Sequence, residues 1–191
     1  TQRSSSAASD VYKRQIHGNE GDDLINGDSG NDTIYGGKSG DTINGGEGGD
    51  WLIGNLNDDV INGNDGSDFI QGNQNSDTLN GGAGADTVRG GADGDSITGG
   101  AGADILYGDL GDDTLIGSDG SDTIYGGGGG DLFRFDETLL ANENDVIIDY
   151  TIGQDSLQLL NVTNSAIISS DSNGDAIISF GTNISITCLL Y

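Results

Sequence analysis

The sequence predicts an all-β fold: a parallel β-roll in which two nonapeptides make each turn, followed by a small antiparallel β capping region. Thirteen nonapeptides follow one another from Gly18 to Arg134 without an insertion or a deletion. Each has Gly at position one, Asp at position six and an apolar residue at position eight. From Phe135 this rhythm stops and longer alternating apolar runs begin.

Each nonapeptide divides into a six-residue turn and a three-residue strand. In the strand, the side chain at position eight points to one face and those at positions seven and nine point to the other. We therefore expect strands of odd-numbered and of even-numbered repeats to form two facing parallel sheets, with position eight between them. The position-six aspartates then form a column along each edge; they are Asp23, Asp32, Asp41, Asp50, Asp59, Asp68, Asp77, Asp86, Asp95, Asp104, Asp113, Asp122 and Asp131.

The unit at residues 81–89, G-G-A-G-A-D-T-V-R, has the pattern G-G-x-G-x-D-x-U-x. It resembles the calcium-binding repeat of RTX proteins, which bacteria export by type I secretion. The resemblance implies Ca²⁺ as the bound ion, the type I secretion machinery as a partner and an extracellular location. It also implies that loop backbone at position one faces the metal, at Gly18, Gly27, Gly36, Gly45, Gly54, Gly63, Gly72, Gly81, Gly90, Gly99, Gly108, Gly117 and Gly126.

Stacking predicts the number of ions. Calcium takes six to eight oxygen ligands, and one loop with a single carboxylate supplies about half of them. The adjacent loop lies two repeats on, so Asp23 is expected to share an ion with the loop of Asp41. Seven odd loops and six even loops leave about eleven internal gaps, hence about eleven calcium ions. Because unneutralised aspartate columns oppose folding, we expect calcium binding and folding to be one event.

Position four departs from Gly in four repeats, all on the same edge: Ser39, Asn57, Asn75 and Asp93. Two interpretations stay open. Polar residues of this kind tolerate the left-handed backbone region, so the changes are harmless. Alternatively, this edge has strained and weaker metal sites.

The segment at residues 135–187 contains apolar runs that we interpret as antiparallel strands. They lie at residues 145–150, 156–159, 166–168, 176–180 and 184–186, and Asn173-Gly174 provides a hairpin turn between two of them. Residues 145–157 resemble the D-x-I-x-D-F-x-x-G-x-D-x-L segment that closes RTX domains in serralysin-type proteases, with Tyr150 in place of Phe. The resemblance implies calcium ligation by Asp145, Asp149 and Asp155, and capping of the open roll is the alternative role.

Both ends of the chain differ from the rest. Residues 1–15 have no repeat character and resemble the conceptual translation of an adaptor used in transposase-based sequencing libraries. Residues 188–191 resemble the start of its reverse complement. We therefore expect 1–15 to be a disordered artefact, 16–134 to be the roll, 135–187 to be a truncated cap and 188–191 to be a second artefact.

Composition excludes several partners. The formal net charge is −26, so the chain repels nucleic acid phosphates and anionic lipid, and its natural partner is a cation. No apolar run is long enough to span a bilayer. The single cysteine, Cys188, lies in the adaptor-like end, so no disulfide framework is expected. We expect the module to be a monomer.

The residues predict no catalytic centre. His17 is the only histidine, and no H-E-x-x-H zinc helix is present. Trp51 and Phe69 at position seven are either ordinary exposed aromatics or a sugar-binding patch. The first hypothesis is a calcium-dependent folding and export module. The second is the C-terminal part of a secreted metalloprotease, lipase or alginate epimerase, and a surface adhesin repeat is a third.

Overall fold

The computed structural model describes residues 14–136, 144–160, 167–170, 176–180 and 184–190, with side chains for residues 14–135 and 144–160. Every regular element in these ranges is a β-strand. The all-β prediction is confirmed, and the strands stack as a parallel solenoid of two sheets. No helix in the described ranges is long and apolar enough to cross a membrane.

Sheet A has eleven strands. In spatial order they are β1 (Gln15–Glu20), β3 (Thr33–Lys38), β5 (Trp51–Leu56), β7 (Phe69–Gln74), β9 (Thr87–Ala92), β11 (Ile105–Leu110), β13 (Thr123–Gly128), β15 (Asn144–Tyr150), β19 (Ile184–Leu190), β18 (Ala176–Phe180) and β17 (Ile167–Ser170).

Sheet B has eight strands. In spatial order they are β16 (Ser156–Leu160), β14 (Leu132–Asp136), β12 (Thr114–Asp119), β10 (Ser96–Ala101), β8 (Thr78–Ala83), β6 (Val60–Asp65), β4 (Thr42–Glu47) and β2 (Leu24–Asn26).

The register follows the two-repeat turn. Thr33 of β3 pairs with Trp51 of β5, eighteen residues on, and Thr42 of β4 pairs with Val60 of β6 in the same way. Most strands are six residues long rather than the predicted three. The extra pairing comes from positions two and three, where Gly37 pairs with Asn55. Backbone pairing therefore continues past position one into the first half of the turn.

The core is a single column of apolar side chains between the sheets. All thirteen position-eight residues, from Ile25 to Phe133, are at most 1% exposed. Phe135 and Ile147 extend the column beyond the repeats. Burial of this column favours the face-to-face packing of the two sheets, since each buried aliphatic side chain contributes about 1.5–3 kcal/mol.

The segment after the repeats differs from its prediction. Strand β15 pairs with β13, and β16 pairs with β14, and both pairings are parallel. The expectation of antiparallel strands at residues 145–150 and 156–159 is therefore wrong, because these two runs continue the roll. Antiparallel pairing occurs between β17 and β18 and between β18 and β19. The turn at Asn173-Gly174 lies outside the described residues.

The adaptor-like segment at the start of the chain lies outside the described residues except for Arg14 and Gln15. Gln15 begins β1 and pairs with Thr33. At the other end, Cys188 lies in β19 and pairs with Ile147 and Ala176. Strand pairing thus includes Gln15 at one end and Cys188 at the other, and both residues belong to the adaptor-like segments.

Candidate metal sites along the two edges

The position-six aspartates form two buried columns, one on each edge of the roll. All thirteen are 4% exposed or less. In the first eleven, the backbone N–H donates to Oδ1 of the aspartate eighteen residues on, as from Asp50 to Asp68 at 2.7 Å and from Asp68 to Asp86 at 2.7 Å. Eleven such hydrogen bonds join the thirteen aspartates. Carboxylates from successive turns are therefore held one above another.

This hydrogen bonding uses only one oxygen of each carboxylate. The second oxygen, Oδ2, is buried without a hydrogen-bond partner in a set of these residues. They are Asp23, Asp41, Asp50, Asp59, Asp68, Asp77, Asp86, Asp95, Asp104, Asp113 and Asp131. A buried charged oxygen that receives no donor is costly unless a cation approaches it.

The position-one glycines form the space beside these oxygens. A Cβ built on Gly99 would lie 2.5 Å from Asp104 Oδ2 and 2.7 Å from the carbonyl oxygen of Gly117. Eleven of the thirteen glycines, Gly18 to Gly108, meet both their own repeat's Oδ2 and the carbonyl of the glycine two repeats on. Each of these cradles combines a carboxylate from one turn with a carbonyl from the next.

Oxygen-only donors of this type suit calcium, which accepts backbone carbonyls together with carboxylates at flexible geometry. Among the described residues no group of three or more Asp, Glu, His or Cys side chains is placed to hold a metal. The cradles explain this, because each brings a single carboxylate and takes its other oxygens from the backbone. The residues therefore fit calcium, and the prediction of about eleven ions stays a prediction.

The columns are electrostatically unfavourable without a cation. Burial, together with the neighbouring carboxylates of Asp95 and Asp59, raises the pKa of Asp77 to about 8. Burial likewise raises the pKa of Asp68 and Asp104 to about 7 and that of Asp131 to about 6. A divalent cation between turns offsets both the desolvation and the repulsion.

A cation already occupies the first position of the even-repeat column. Arg14 lies eighteen residues before Asp32, and its backbone N–H donates to Asp32 Oδ1 at 3.1 Å, as the aspartates do. Its guanidinium donates to Asp32 Oδ2 at 3.3 Å and to the carbonyl oxygen of Gly27. The repeat pattern does not predict this pairing, because Arg14 belongs to the adaptor-like segment.

The three aspartates beyond the repeats end the columns. Asp145 Oδ1 accepts from Asp122 N–H at 2.9 Å, and Asp155 Oδ1 accepts from Asp131 N–H at 3.0 Å. Asp155 Oδ2 also accepts from the N–H of Thr151 at 2.7 Å. Both oxygens of Asp155 therefore satisfy backbone donors, which favours capping as its role.

Asp149 has a different position. Its Oδ1 accepts from Gly126 N–H at 2.8 Å and its Oδ2 from Gly127 N–H at 2.9 Å. In the repeats a backbone carbonyl has this role, as Asn44 has for Gly27 at 2.8 Å. Asp149 thus replaces a missing carbonyl, and calcium ligation by Asp145, Asp149 and Asp155 stays a prediction.

The position-four substitutions all adopt the left-handed region. Ser39, Asn57, Asn75 and Asp93 have φ values of 79°, 74°, 75° and 74°. Asn and Asp reach this region at low cost. This geometry agrees with the interpretation that the changes are tolerated, and weaker sites on this edge stay a hypothesis.

Filling one cradle should abolish one site. In Gly99→Ala the new methyl group would overlap Asp104 Oδ2 and the Gly117 carbonyl, so we expect a higher calcium midpoint for folding. Loss of one site filled at about a hundredfold over its Kd removes about 2.7 kcal/mol of stabilisation. Calcium titration followed by circular dichroism measures this midpoint.

Gly128→Ala is the matched control, because a Cβ there would meet only Leu110 Cδ2, at 3.6 Å. Its midpoint should equal that of the unmodified chain. Equal midpoints for the Gly99 and Gly128 variants would show that the cradles are not metal sites.

Comparison with family models agrees with this geometry. The family model described as the RTX calcium-binding nonapeptide repeat matches residues 17–52, 35–70, 53–88, 71–106, 80–115 and 107–137. No curated protein matches the chain at a significant level. Among solved structures, the extracellular lipase LipA from Serratia marcescens is similar, with a TM-score of 0.36 and 18% sequence identity. The similarity covers 89% of this chain but only 38% of the lipase chain.

Proposed function

We propose, from the premise that this chain belongs to the RTX calcium-binding nonapeptide repeat family, that it is a calcium-dependent folding module of a larger secreted protein. The observation that carries the proposal is the series of eleven cradles, each with oxygens from two successive turns. Because neither turn alone supplies the ligand set, an ion binds only when the turns are stacked. Calcium binding then stabilises the folded roll and does not stabilise partly folded or unfolded states of the chain.

This coupling suits export through a narrow channel. In a low-calcium cytosol the carboxylate columns are uncompensated, so the chain stays unfolded and can be threaded. Outside the cell, calcium at higher concentration folds the emerging turns and hinders their return. We propose the type I machinery as the exporter, an extracellular location and a monomeric, non-catalytic module.

Export should therefore depend on external calcium. We expect the chain, fused to a type I export signal and expressed with a type I exporter, to reach the medium in protease-resistant form when the medium contains millimolar calcium. With a chelator in the medium, the amount of resistant protein should fall severalfold. Quantitative immunoblotting of medium and cells after limited proteolysis measures both pools.

The matched control is the same fusion carrying Asp65→Ala, whose side chain is exposed at the end of β6. It should be exported like the unmodified chain. Equal protease resistance in calcium and in chelator would contradict calcium-driven folding outside the cell.

A further inference from the structure

The two outer faces of the roll differ in their aromatic content. Among the described residues, the aromatic rings on the outward positions seven and nine all lie on sheet A. They form three pairs on neighbouring strands: His17 with Tyr35, Trp51 with Phe69, and Tyr107 with Tyr125. The equivalent positions of sheet B carry aliphatic, hydroxyl and amide side chains and Arg134. The nine-residue period does not require this segregation. Successive repeats alternate between the two sheets, so a ring at position seven or nine could lie on either sheet.

The pair of Trp51 and Phe69 forms one wall of a cavity. Their ring centroids are 4.4 Å apart, the rings are inclined by 35°, and Trp51 is 48% exposed. The cavity has a volume of about 380 Å³ and lies at the N-terminal ends of β3, β5, β7 and β9. Because it crosses four successive strands, it follows the axis of the roll and can hold an extended ligand.

The rest of the lining is polar or has small side chains. It contains Asn31, Gly49, Ser67 and Ala85 at position five of four successive even repeats. Asn31 Oδ1 accepts from Gly49 N–H at 3.1 Å, and Ser67 Oγ accepts from Ala85 N–H at 3.2 Å. These bonds orient the two side chains and leave the Asn31 amide N–H₂ and the Ser67 hydroxyl hydrogen as donors.

The cavity presents no exposed charge. Its only ionisable lining residues are Asp32, Asp50 and Asp68, and each is 3% exposed or less. The three buried carboxylates belong to the column that we assign to calcium, so the cavity offers no free charge to pair with a cationic ligand, and the net charge of −26 repels an anionic one. The ligand that fits is therefore neutral.

A protein partner fits this cavity poorly. A stable protein interface buries roughly 800 Å² on each side around an apolar centre. Here the apolar wall consists of two rings, and the polar Thr87 follows Phe69 in the same column. A pyranose matches the two walls better, because its C–H face packs on an aromatic ring while its hydroxyls reach amide and hydroxyl groups.

We propose that this cavity, an open groove between the Trp51–Phe69 pair and the wall that contains Asn31 and Ser67, binds a neutral polysaccharide. The glycan chain would lie along the roll axis. This site goes beyond the calcium-dependent folding role. It gives the module a surface for attachment to extracellular glycans.

The single tryptophan makes the test direct, since Trp51 is the only one in the chain. The full chain in millimolar calcium is titrated with soluble neutral oligosaccharides of glucose with β-1,4, β-1,3 and α-1,4 linkages, and with alginate oligosaccharides. We expect a saturable shift of Trp51 fluorescence with at least one neutral glycan. Phe69→Thr should weaken that binding by about tenfold or more, because it removes one of the two stacking rings.

Threonine occupies position seven in repeats two, eight and twelve, so these variants suit the fold. Ile105→Thr on sheet A and Val60→Thr on sheet B are matched controls, because both residues are exposed at position seven outside the groove. Both should bind like the unmodified chain, and circular dichroism of every sample verifies folding.

A folded chain that binds no neutral glycan, binds only alginate or is unaffected by Phe69→Thr would overturn the proposal. The proposal would also be overturned if the chain bound no glycan but self-associated in a sedimentation experiment, and if Trp51→Thr abolished that self-association.

Discussion

Excess chelator is expected to unfold the roll at neutral pH, and millimolar calcium is expected to restore it in one cooperative transition. The physical reason is the pair of buried carboxylate columns, in which burial and neighbouring charges raise the pKa of residues such as Asp77 to about 8. Each site filled at about a hundredfold over its Kd contributes about 2.7 kcal/mol, so several sites together exceed the 5–15 kcal/mol stability of an ordinary domain. Far-ultraviolet circular dichroism during a calcium titration measures the transition.

Acid provides an independent check on the cause. The folded-state pKa values lie above the ordinary aspartate value of 3.8. In chelator, the folded state is therefore penalised most above these pKa values, and the penalty falls as pH drops from about 8 towards 3.8. We expect part of the β signal to return near pH 4 in chelator. A full β signal in chelator at pH 8, with magnesium absent, would contradict the coupling of binding and folding.

Asp68→Ala is expected to raise the calcium midpoint more than any change at a solvent-facing turn residue. Asp68 Oδ1 accepts from Asp50 N–H, and Asp68 N–H donates to Asp86, so the residue joins three turns. Its Oδ2 borders the cradle of Gly63. Removing the carboxylate removes the cradle's only acidic ligand and leaves the Asp50 N–H of the preceding turn without its acceptor, a loss of about 2.7 kcal/mol for the site and about 1–3 kcal/mol for the unsatisfied N–H.

Two variants separate these effects. Asp68→Asn keeps an oxygen for the Asp50 N–H but removes the charge, so it should retain the fold at high calcium and still show a raised midpoint. Asp65→Ala, an exposed change at position three of the same loop, should leave the midpoint unchanged. Isothermal titration calorimetry gives the number of ions bound by each variant. An unchanged stoichiometry in both Asp68 variants would contradict the assignment of Asp68 as a calcium ligand.

Much of the fold follows from the period of nine. Gly at position one, Asp at position six and an aliphatic at position eight predict the two facing sheets, the single apolar column from Ile25 to Phe133 and the aspartate columns. These features depend only on the direction in which each side chain points along a strand, and direction is a local property of the backbone. Strand length was underestimated, because positions two and three pair with the next turn even though they lie in the predicted turn.

The end of the roll could not be predicted in the same way. Asp122 and Asp145 are linked across 23 residues, and Asp131 and Asp155 across 24, instead of eighteen. A changed spacing removes the register that the repeats provide, so the apolar pattern of β15 and β16 shows two strands without showing their partners. Pairing then depends on which sheet edge is open, and both strands continue the roll in parallel.

The sequence by itself determined the repeat unit, the two-sheet roll, the buried aspartates and the preference for a hard cation. Only the tertiary structure decided how one carboxylate is shared, with Oδ1 accepting an N–H of the preceding turn and Oδ2 facing the cradle. It also decided that Arg14 pairs with Asp32. These features join residues about eighteen positions apart or more, and such contacts exist only once the turns are stacked in register.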